Sequence, residues 1–147
     1  MAKETIGLAS DHAGYGLKAH LEAYLKGRGY AVVDYGTDSR ESCDYPLYAK
    51  ALAQGIGQGE VQLGVGICGS GNGISMALNR HRGVRAALAW TSELATLGRQ
   101  HNDANVLSLP ARFVTEAEAE QITETFLAAR FEGGRHQRRV DLMENPT

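Results

Sequence analysis

Residues 61–75 read VQLGVGICGSGNGIS and contain a strand, a tight turn and the start of a helix in one short stretch. The stretch opens as an apolar run rich in β-branched side chains, which is typical of a buried parallel strand. Residues 68–73 form a glycine-rich turn, and a helical pattern resumes at Ile74. Such a turn gathers free backbone N–H groups at the amino end of a helix, where negative charge is favoured. We therefore predict an anion-binding loop with Cys68 at its mouth.

The loop matches neither of the common phosphate-binding patterns. No lysine follows Gly71 or Gly73, as a Walker A loop requires, and the alternating glycines fit no dinucleotide-binding fingerprint. Glycine lets a backbone approach a ligand closely, and a thiol beside converging amides can act as a base. A tight turn around a small buried cysteine is the alternative, and the loop by itself does not separate the two interpretations.

Length and composition indicate a single domain over residues 1–147. The net charge of −2 gives no indication of a nucleic acid or an anionic membrane as a partner. No apolar run approaches the ~18 residues of a membrane-spanning helix, and the N-terminus lacks the apolar region of a signal peptide. The two cysteines are expected to be free thiols. We therefore expect a cytoplasmic protein.

Strands alternate with helices on both sides of the glycine loop. We expect strands at residues 5–9, 30–34, 61–67, 84–89 and 105–109. We expect helices at residues 17–26, 46–56, 74–80, 92–100 and 115–131, and a helical tail from residue 133. This alternation predicts an α/β fold with a five-stranded parallel sheet, right-handed crossovers and helices on both faces.

Polar side chains follow several strands, at the edge of the sheet where ligands bind in such folds. Asp11 and His12 follow the first strand, the loop of residues 68–73 follows the third, and Arg112 follows the fifth. Further candidates lie near helix ends or on one face of the tail: His101, Asn102, Arg135 and Arg139. The set suggests a thiol base, a histidine, an amide-lined oxyanion pocket and a phosphate clamp, because arginine binds phosphate bidentately.

Each candidate also has a structural interpretation. Asp11 can cap the following helix, and His12 and His101 can be structural histidines. The two tail arginines can form a solvated helix face, and Cys43 is interpreted as a loop thiol without a role. Metal binding is not indicated, because the histidines and cysteines are not at ligand spacing.

Six stretches, spread over nearly the whole chain, resemble the ribose-5-phosphate isomerase type B family, which also contains galactose-6-phosphate and allose-6-phosphate isomerases. They are SDHAG (10–14), DYP (44–46), GICGSGNGISMALN (66–79), GVRAAL (83–88), RQHNDANVL (99–107) and FEGGRHQRRV (131–140). The resemblance implies a Rossmann-like three-layer domain and no metal or organic cofactor. It also implies a homodimer with sites between subunits, and leaves open whether dimers pair into tetramers. The tail of residues 133–147 is then expected to be an arm that packs on the dimer partner.

The resemblance also implies roles for particular residues. One branch of the family uses a cysteine at the position of Cys68 as the base that moves a proton between C1 and C2 of the sugar. Another branch uses a glutamate where this chain has Ile74, so the chain resembles the cysteine branch. Ser70 is expected to assist at the reacting oxygens, and His101, with Asp11 nearby, to open the furanose ring.

The remaining expected roles concern binding. The enediolate is expected to be stabilised by backbone amides of Gly69, Gly71, Asn72 and Gly73. The sugar hydroxyls are expected to contact Tyr45 and Asn102. The phosphate is expected to bind His12, Arg112, Arg135 and Arg139, with the two tail arginines reaching across the dimer.

The sequence therefore predicts a cofactor-free aldose–ketose isomerase of a sugar phosphate, most simply of ribose 5-phosphate and ribulose 5-phosphate in the pentose phosphate pathway. An isomerase of a four-carbon or six-carbon sugar phosphate would keep the same residues. A non-catalytic sugar-phosphate binding subunit is an alternative from another class. A thiol redox protein that uses Cys43 and Cys68 is less favoured, because the loop lacks a CxxC motif.

Overall fold

A computed structural model describes residues 3–146 of the chain. The strands are β1 (Thr5–Ser10), β2 (Ala31–Asp34), β3 (Leu63–Cys68), β4 (Ala86–Leu88) and β5 (Val106–Pro110). The helices are α1 (Tyr15–Gly27), α2 (Tyr45–Gly57), α3 (Asn72–Asn79), α4 (Ser92–Asn102), α5 (Glu116–Ala128) and α6 (Arg135–Glu144). Among these residues, no helix combines the length and the apolar character needed to cross a bilayer.

The five strands form one parallel sheet in the order β2-β1-β3-β5-β4. From β1 the chain continues to one side of the sheet, and from β3 it continues to the other side. The point where strand order reverses therefore lies between β1 and β3, and a crevice opens there at the carboxyl ends of the strands. The predicted α/β fold, its parallel sheet and its C-terminal helix are confirmed.

Helices cover both faces of the sheet, and the sequence of β3 explains how. The larger side chains Leu63, Val65 and Ile67 join the buried cluster that contains the apolar residues of α1 and α5. Gly64 and Gly66 point to the opposite face, where a Cβ atom would come within 2.9 Å of Leu52 and 2.8 Å of Leu78, respectively. The two glycines thus let α2 and α3 pack close to the central strand.

Element boundaries differ from the sequence expectation where side chains, rather than periodicity, set the ends. Helix α3 begins at Asn72, so part of the expected loop is already helical. Strand β4 is short, because the backbone N–H of Arg85 just before it donates to the side chain of Asn105 at 2.8 Å. Helix α4 continues to Asn102, two residues beyond the expected end. Thr115 and Glu118 form a capping box at the start of α5.

A buried lysine connects two elements of the fold. Lys18 lies on the core-facing side of α1, and its side chain is 2% exposed. Its Nζ donates to both carboxylate oxygens of Asp34 at 2.7 Å, and Asp34 also accepts from the backbone N–H of Gly36 at 2.8 Å. This ion pair joins α1 to the end of β2.

Replacing Asp34 with alanine should lower the free energy of unfolding by about 2–3 kcal/mol, because an unpaired lysine would remain in the core. Loss of one partner from a fully buried pair costs about 3–5 kcal/mol, and Asp34 is one-third exposed. Urea unfolding followed by circular dichroism measures the change. Glu22→Ala, which breaks the exposed Lys26–Glu22 pair, is the control and should cost at most about 0.5 kcal/mol. Equal costs for the two variants would contradict a structural role for the buried pair.

Candidate active site

A cleft of about 630 Å³ opens at the carboxyl ends of β1, β3 and β5. Its lining includes eight residues that the sequence singles out: Asp11, His12, Tyr45, Cys68, Gly69, Ser70, Gly73 and Arg112. The remaining lining residues are Ala13, Cys43, Asp44 and Phe113. The cleft occupies the crevice at which strand order reverses, as expected for a ligand site in this type of sheet.

Cys68 is held in place by the sheet. It is the last residue of β3, is 5% exposed, and aligns with Pro110 of β5. Its carbonyl accepts from the backbone N–H of Ala111 at 2.9 Å. On the other side, Asp11 donates its backbone N–H to Ile67 at 3.2 Å. The thiol therefore lies between the ends of β1 and β5, on a rigid element and at the floor of the cleft.

The glycine loop requires Gly71 at its sharpest point. Gly71 has φ +78° and is the residue that precedes the first turn of α3. A Cβ atom there would lie 3.2 Å from backbone atoms of Leu109 and Pro110. Gly71 has no side chain with which to cap α3, so N–H groups of the first helical turn beyond that of Asn72 remain without a side-chain cap at the amino end of the helix, where anions bind. This geometry matches the predicted anion-binding loop.

Ser70 and Asn72 interact with each other within the loop. The Ser70 hydroxyl accepts from the backbone N–H of Asn72 at 3.2 Å and from its side-chain amide at 3.3 Å. The Asn72 N–H is therefore occupied, and Asn72 does not line the cleft. The amides that remain as candidates for a bound oxyanion come from the glycines of the loop.

Two of those glycines also make room for cleft side chains. A Cβ atom at Gly69 would meet the guanidinium of Arg112 at 3.1 Å, and one at Gly73 would meet the ring of Tyr45 at 2.6 Å. The backbone of Arg112 is tied to the same loop, since its N–H donates to the carbonyl of Gly69 at 3.0 Å. The positive charge of Arg112 therefore lies beside the anion-binding loop.

His12 is oriented by Cys43, which is interpreted from sequence as a thiol without a role. The backbone N–H of Cys43 donates to Nδ1 of His12 at 3.3 Å, and the Cys43 thiol lies 4.0 Å from the same atom. Because Nδ1 accepts a hydrogen bond, the imidazole proton sits on Nε2. His12 can thus present an N–H donor to a ligand in the cleft.

Asp11 contacts the residue that precedes α1 and also lines the cleft. It is 7% exposed, and its carboxylate accepts from the backbone N–H of Gly14, the residue before α1, at 3.1 Å. The capping interpretation is therefore correct in part, although Asp11 is not itself the N-cap residue. One carboxylate oxygen faces the start of the helix, and the residue also lines the cleft beside Cys68.

Six predicted site residues do not line this cleft: Gly71 and Asn72, which belong to the loop itself, and His101, Asn102, Arg135 and Arg139, which lie elsewhere. His101 and Asn102 form the last turn of α4, which runs away from the cleft edge for about 16 Å. Asn102 lies at the opposite, amino edge of the sheet, because its carbonyl accepts at 3.1 Å from Arg85, which precedes β4. It lines a second concavity of about 570 Å³ there. Within one chain, His101 and Asp11 are therefore not adjacent as the sequence analysis expects.

Helix α6 carries Arg135 and Arg139 along this same amino edge. The ring of His136 stacks on His101, with centroids 4.3 Å apart and an angle of 9° between the planes. At the far end of α6, Glu144 pairs with Arg85. Burial lowers the pKa of His136, and the adjacent His101 and Arg135 lower it further. The four remaining predicted residues thus form a second group, with His136, on one edge.

Several residues at the two edges were missed from sequence. Asp44 and His136 fall inside stretches that carry the family resemblance, DYP and FEGGRHQRRV, so a signal existed for both. Cys43 and Phe113 follow no pattern, since each reaches the cleft from a loop whose course depends on tertiary packing. Both cysteines are unpaired, and both line the cleft.

Comparison with known proteins supports a family assignment. The family described as Ribose/Galactose Isomerase matches residues 6–143. Ribose-5-phosphate isomerase B of Escherichia coli is 46% identical over 136 residues, which cover 92% of this chain and 91% of that protein.

Solved structures agree with this result. A ribose 5-phosphate isomerase from Thermotoga maritima has a TM-score of 0.95 and 46% identity, over 97% of this chain and 98% of the other. Ribose-5-phosphate isomerase B from Mycoplasma genitalium, solved with bound ribulose-5-phosphate, has a TM-score of 0.91 and 44% identity, over 97% and 95% of the two chains. The family resemblance predicted from sequence is confirmed, and the chain belongs to the ribose/galactose isomerase family.

Proposed function

We propose that this protein is an aldose–ketose isomerase that interconverts ribose 5-phosphate and ribulose 5-phosphate through an enediolate. The main supporting observation is the position of Cys68, at the floor of a cleft between an anion-binding loop and Arg112. The names of the similar proteins support the same substrate pair. The hydrogens move within the substrate, so the reaction requires no external oxidant or reductant.

The proton-transfer step follows from the geometry of the loop. The Cys68 thiolate removes the C2 proton of the open-chain aldose, the proton of the C2 hydroxyl moves to the C1 oxygen within the enediolate, and the Cys68 thiol then returns a proton to C1 to give the ketose. Between these steps the negative charge lies on the enediolate oxygens, where the loop amides and the Ser70 hydroxyl stabilise it. The thiolate and the enediolate are not charged at the same time, so one set of donors serves both in turn.

The phosphate binds away from the reacting carbons. Arg112 supplies a guanidinium beside the loop, and His12 supplies an Nε2–H donor. Binding energy from this remote group positions C1 and C2 against Cys68. Tyr45, which lies over the backbone of Gly73, is placed to contact a sugar hydroxyl.

A second copy of the chain completes the site. Large apolar side chains are exposed beside the cleft, as expected for a surface that another subunit covers. They include Leu47 (64%), Met76 (67%) and Phe113 (59%), and Phe113 itself lines the cleft. We propose a homodimer in which the amino edge of one subunit faces the cleft of the other.

In this dimer, the two groups of predicted residues meet on one substrate. His101 of the partner subunit opens the furanose ring together with Asp11, and Asn102 of the partner subunit contacts a sugar hydroxyl. Arg135 and Arg139 of the partner subunit join Arg112 and His12 around the phosphate. The arm expected at residues 133–147, of which residue 147 lies outside the described residues, packs on α4 of its own chain through His136 and on the partner through exposed side chains such as Leu142 (62%). We place this metabolic enzyme in the cytoplasm.

Turnover by the purified protein, measured on four-, five- and six-carbon aldose and ketose phosphates, tests the proposal. We expect kcat/KM to be highest for the ribose 5-phosphate and ribulose 5-phosphate pair. A maximum at a four-carbon or six-carbon sugar would keep the chemistry and correct the substrate. Binding of ribose 5-phosphate without turnover of any sugar would identify a non-catalytic subunit and overturn the proposal.

Replacing Arg112 with alanine should lower kcat/KM for ribose 5-phosphate by about 10- to 100-fold, mainly through a higher KM. The estimate corresponds to loss of one or two charge-assisted hydrogen bonds to phosphate. Steady-state kinetics with ribose 5-phosphate and with unphosphorylated ribose measures the effect. The preference for the phosphorylated sugar should shrink in the variant. Arg28→Ala, at a surface pair with Glu124, should leave both values unchanged. An unaltered preference in Arg112→Ala would reject the phosphate role.

A further inference from the structure

Three side chains that can bind a metal ion converge at the amino edge of the sheet. His101 ends α4, His136 lies in the first turn of α6, and Glu132 lies in the loop before it. One ligand atom from each lies within 4.8 Å of the other two. In residues 3–146 this is the one group of three or more such side chains with that spacing. We refer to these three residues as the His–Glu cluster.

The distances within the cluster fit coordination better than hydrogen bonding. Oε1 of Glu132 lies 3.5 Å from Nε2 of His136 and 3.8 Å from Nε2 of His101. Both distances exceed the roughly 2.7–3.2 Å of an N–H···O hydrogen bond. Ligand atoms bound at about 2.0–2.1 Å around tetrahedral Zn²⁺ are about 3.3–3.4 Å apart. The carboxylate of Glu132 therefore needs only a small approach to either histidine to share such an ion with it.

The surroundings of the cluster allow that approach. The backbone of Glu132 is tied to α4, because its N–H donates to the carbonyl of Gln100 at 3.0 Å. Gly133 and Gly134 follow it with positive φ values, which gives the loop room to adjust. The side chain of His136 is 9% exposed and fixed, whereas that of His101 is 39% exposed. The parallel rings must splay for both lone pairs to meet at one ion, and His101 is the ring free to tilt.

The donor set selects a class of cation. Two imidazole nitrogens and one carboxylate form the ligand set of open zinc sites, with a fourth position left to water. Hard cations such as Mg²⁺ prefer an all-oxygen shell and are not expected to bind here. The exposed side of His101 provides an entry path from solvent.

We propose that the His–Glu cluster is an inhibitory Zn²⁺ site. The bound ion occupies Nε2 of His101 and withdraws this imidazole from the sugar ring. The inhibitory part rests on the ring-opening role assigned to His101 above, whereas binding of the ion does not. The ion acts through His101 and not through the Cys68 thiol, and it is not a cofactor.

Zinc binding is best measured on a Cys43→Ser/Cys68→Ser protein, because thiols in the cleft also attract Zn²⁺. Isothermal titration with ZnCl₂ should give one ion per chain. Glu132→Gln in the same background should raise the Kd about tenfold or more. Glu120→Gln is the matched control and should not change the Kd. Glu120 also contacts a histidine, His20, but no second histidine is part of that contact. Co²⁺ should give a tetrahedral d–d spectrum without a thiolate charge-transfer band.

The inhibition experiment uses the protein with both cysteines intact. Zn²⁺ should inhibit isomerisation of ribose 5-phosphate, EDTA should reverse the inhibition, and Glu132→Gln should need at least about tenfold more Zn²⁺ for the same fractional inhibition. Absence of stoichiometric binding, or a Kd equal in Glu132→Gln and its parent, would overturn the site. Tight binding without inhibition would instead keep the site and reject the ring-opening role of His101. Equal Zn²⁺ sensitivity of the two cysteine-containing proteins would assign the inhibition to thiols and overturn the inhibitory part.

Discussion

Replacing Cys68 with alanine should lower kcat for ribose 5-phosphate by about 10²- to 10⁴-fold while KM changes little. A positioned general base contributes about this factor to a proton-transfer step. The groups proposed to bind the substrate, including Arg112, His12 and the loop amides, remain in the variant. Deletion of one sulfur from a 5%-exposed site should cost no more than about 1–2 kcal/mol of stability. Stopped assays with ribose 5-phosphate measure the rate, and thermal unfolding measures the fold.

The second cysteine of the cleft provides the control for that experiment. Cys43 lines the same cavity, but its contact with His12 that fixes the imidazole comes from the backbone N–H. Cys43→Ser should therefore retain most of the activity. A Cys68→Ala enzyme with near-normal kcat would show that another group removes the C2 proton. Loss of activity in Cys43→Ser alone would point to chemistry that needs both thiols.

Local sequence was sufficient for the loop because each of its properties depends on neighbouring residues. The apolar run of β3, the glycines that follow and the helix after them specify a strand-turn-helix unit without reference to the rest of the chain. The site on this unit therefore appears at the predicted edge of the sheet. Asp11 follows β1 and Arg112 follows β5, the two strands that flank β3 in the sheet, so their positions at the same edge were also predictable.

The position of His101 does not follow from its neighbours in the sequence. The family resemblance places His101 near Asp11, although a helix that follows a parallel strand returns to the amino edge of the sheet. With α4 running from Ser92 to Asn102, this reasoning places His101 opposite the cleft. The stacking of His136 on His101 was not predictable, because it depends on how α6 docks against α4.

Lys18, in the core, is a second residue whose position local sequence does not predict. The apolar residues Leu17, Leu21 and Leu25 of α1 are buried. Lys18 is buried as well, although lysine side chains are almost always exposed unless they are paired. Its partner Asp34 lies on the next strand, and no local pattern links the two residues. Pairs formed between elements determine such positions, and periodicity within one element does not contain that information.

Mixing two inactive variants should restore activity if each site takes residues from both subunits. His101→Ala and Cys68→Ala should each lose about 10²- to 10⁴-fold in kcat. In a mixed dimer, one site combines the intact Cys68 of one chain with the intact His101 of the other, and the second site carries both defects. Random exchange makes half of the dimers mixed, so about a quarter of the wild-type activity should return. Refolding the two variants together and assaying ribose 5-phosphate isomerisation measures the recovery.

The matched control mixes two variants whose substitutions both lie in the cleft, at the carboxyl edge of the sheet. Asp11→Asn and Cys68→Ala both alter the cleft of their own chain, so neither site of a mixed dimer is intact and no activity should return. Recovery with His101→Ala but not with Asp11→Asn would show that the two edges of the sheet belong to one site only across the dimer. Failure of the first mixture, with mixed dimers demonstrated by differently tagged chains, would mean that His101 does not act in the partner's cleft. The roughly 16 Å length of α4 would then remove His101 from the chemistry altogether, because a catalytic group must lie within hydrogen-bond reach of its substrate.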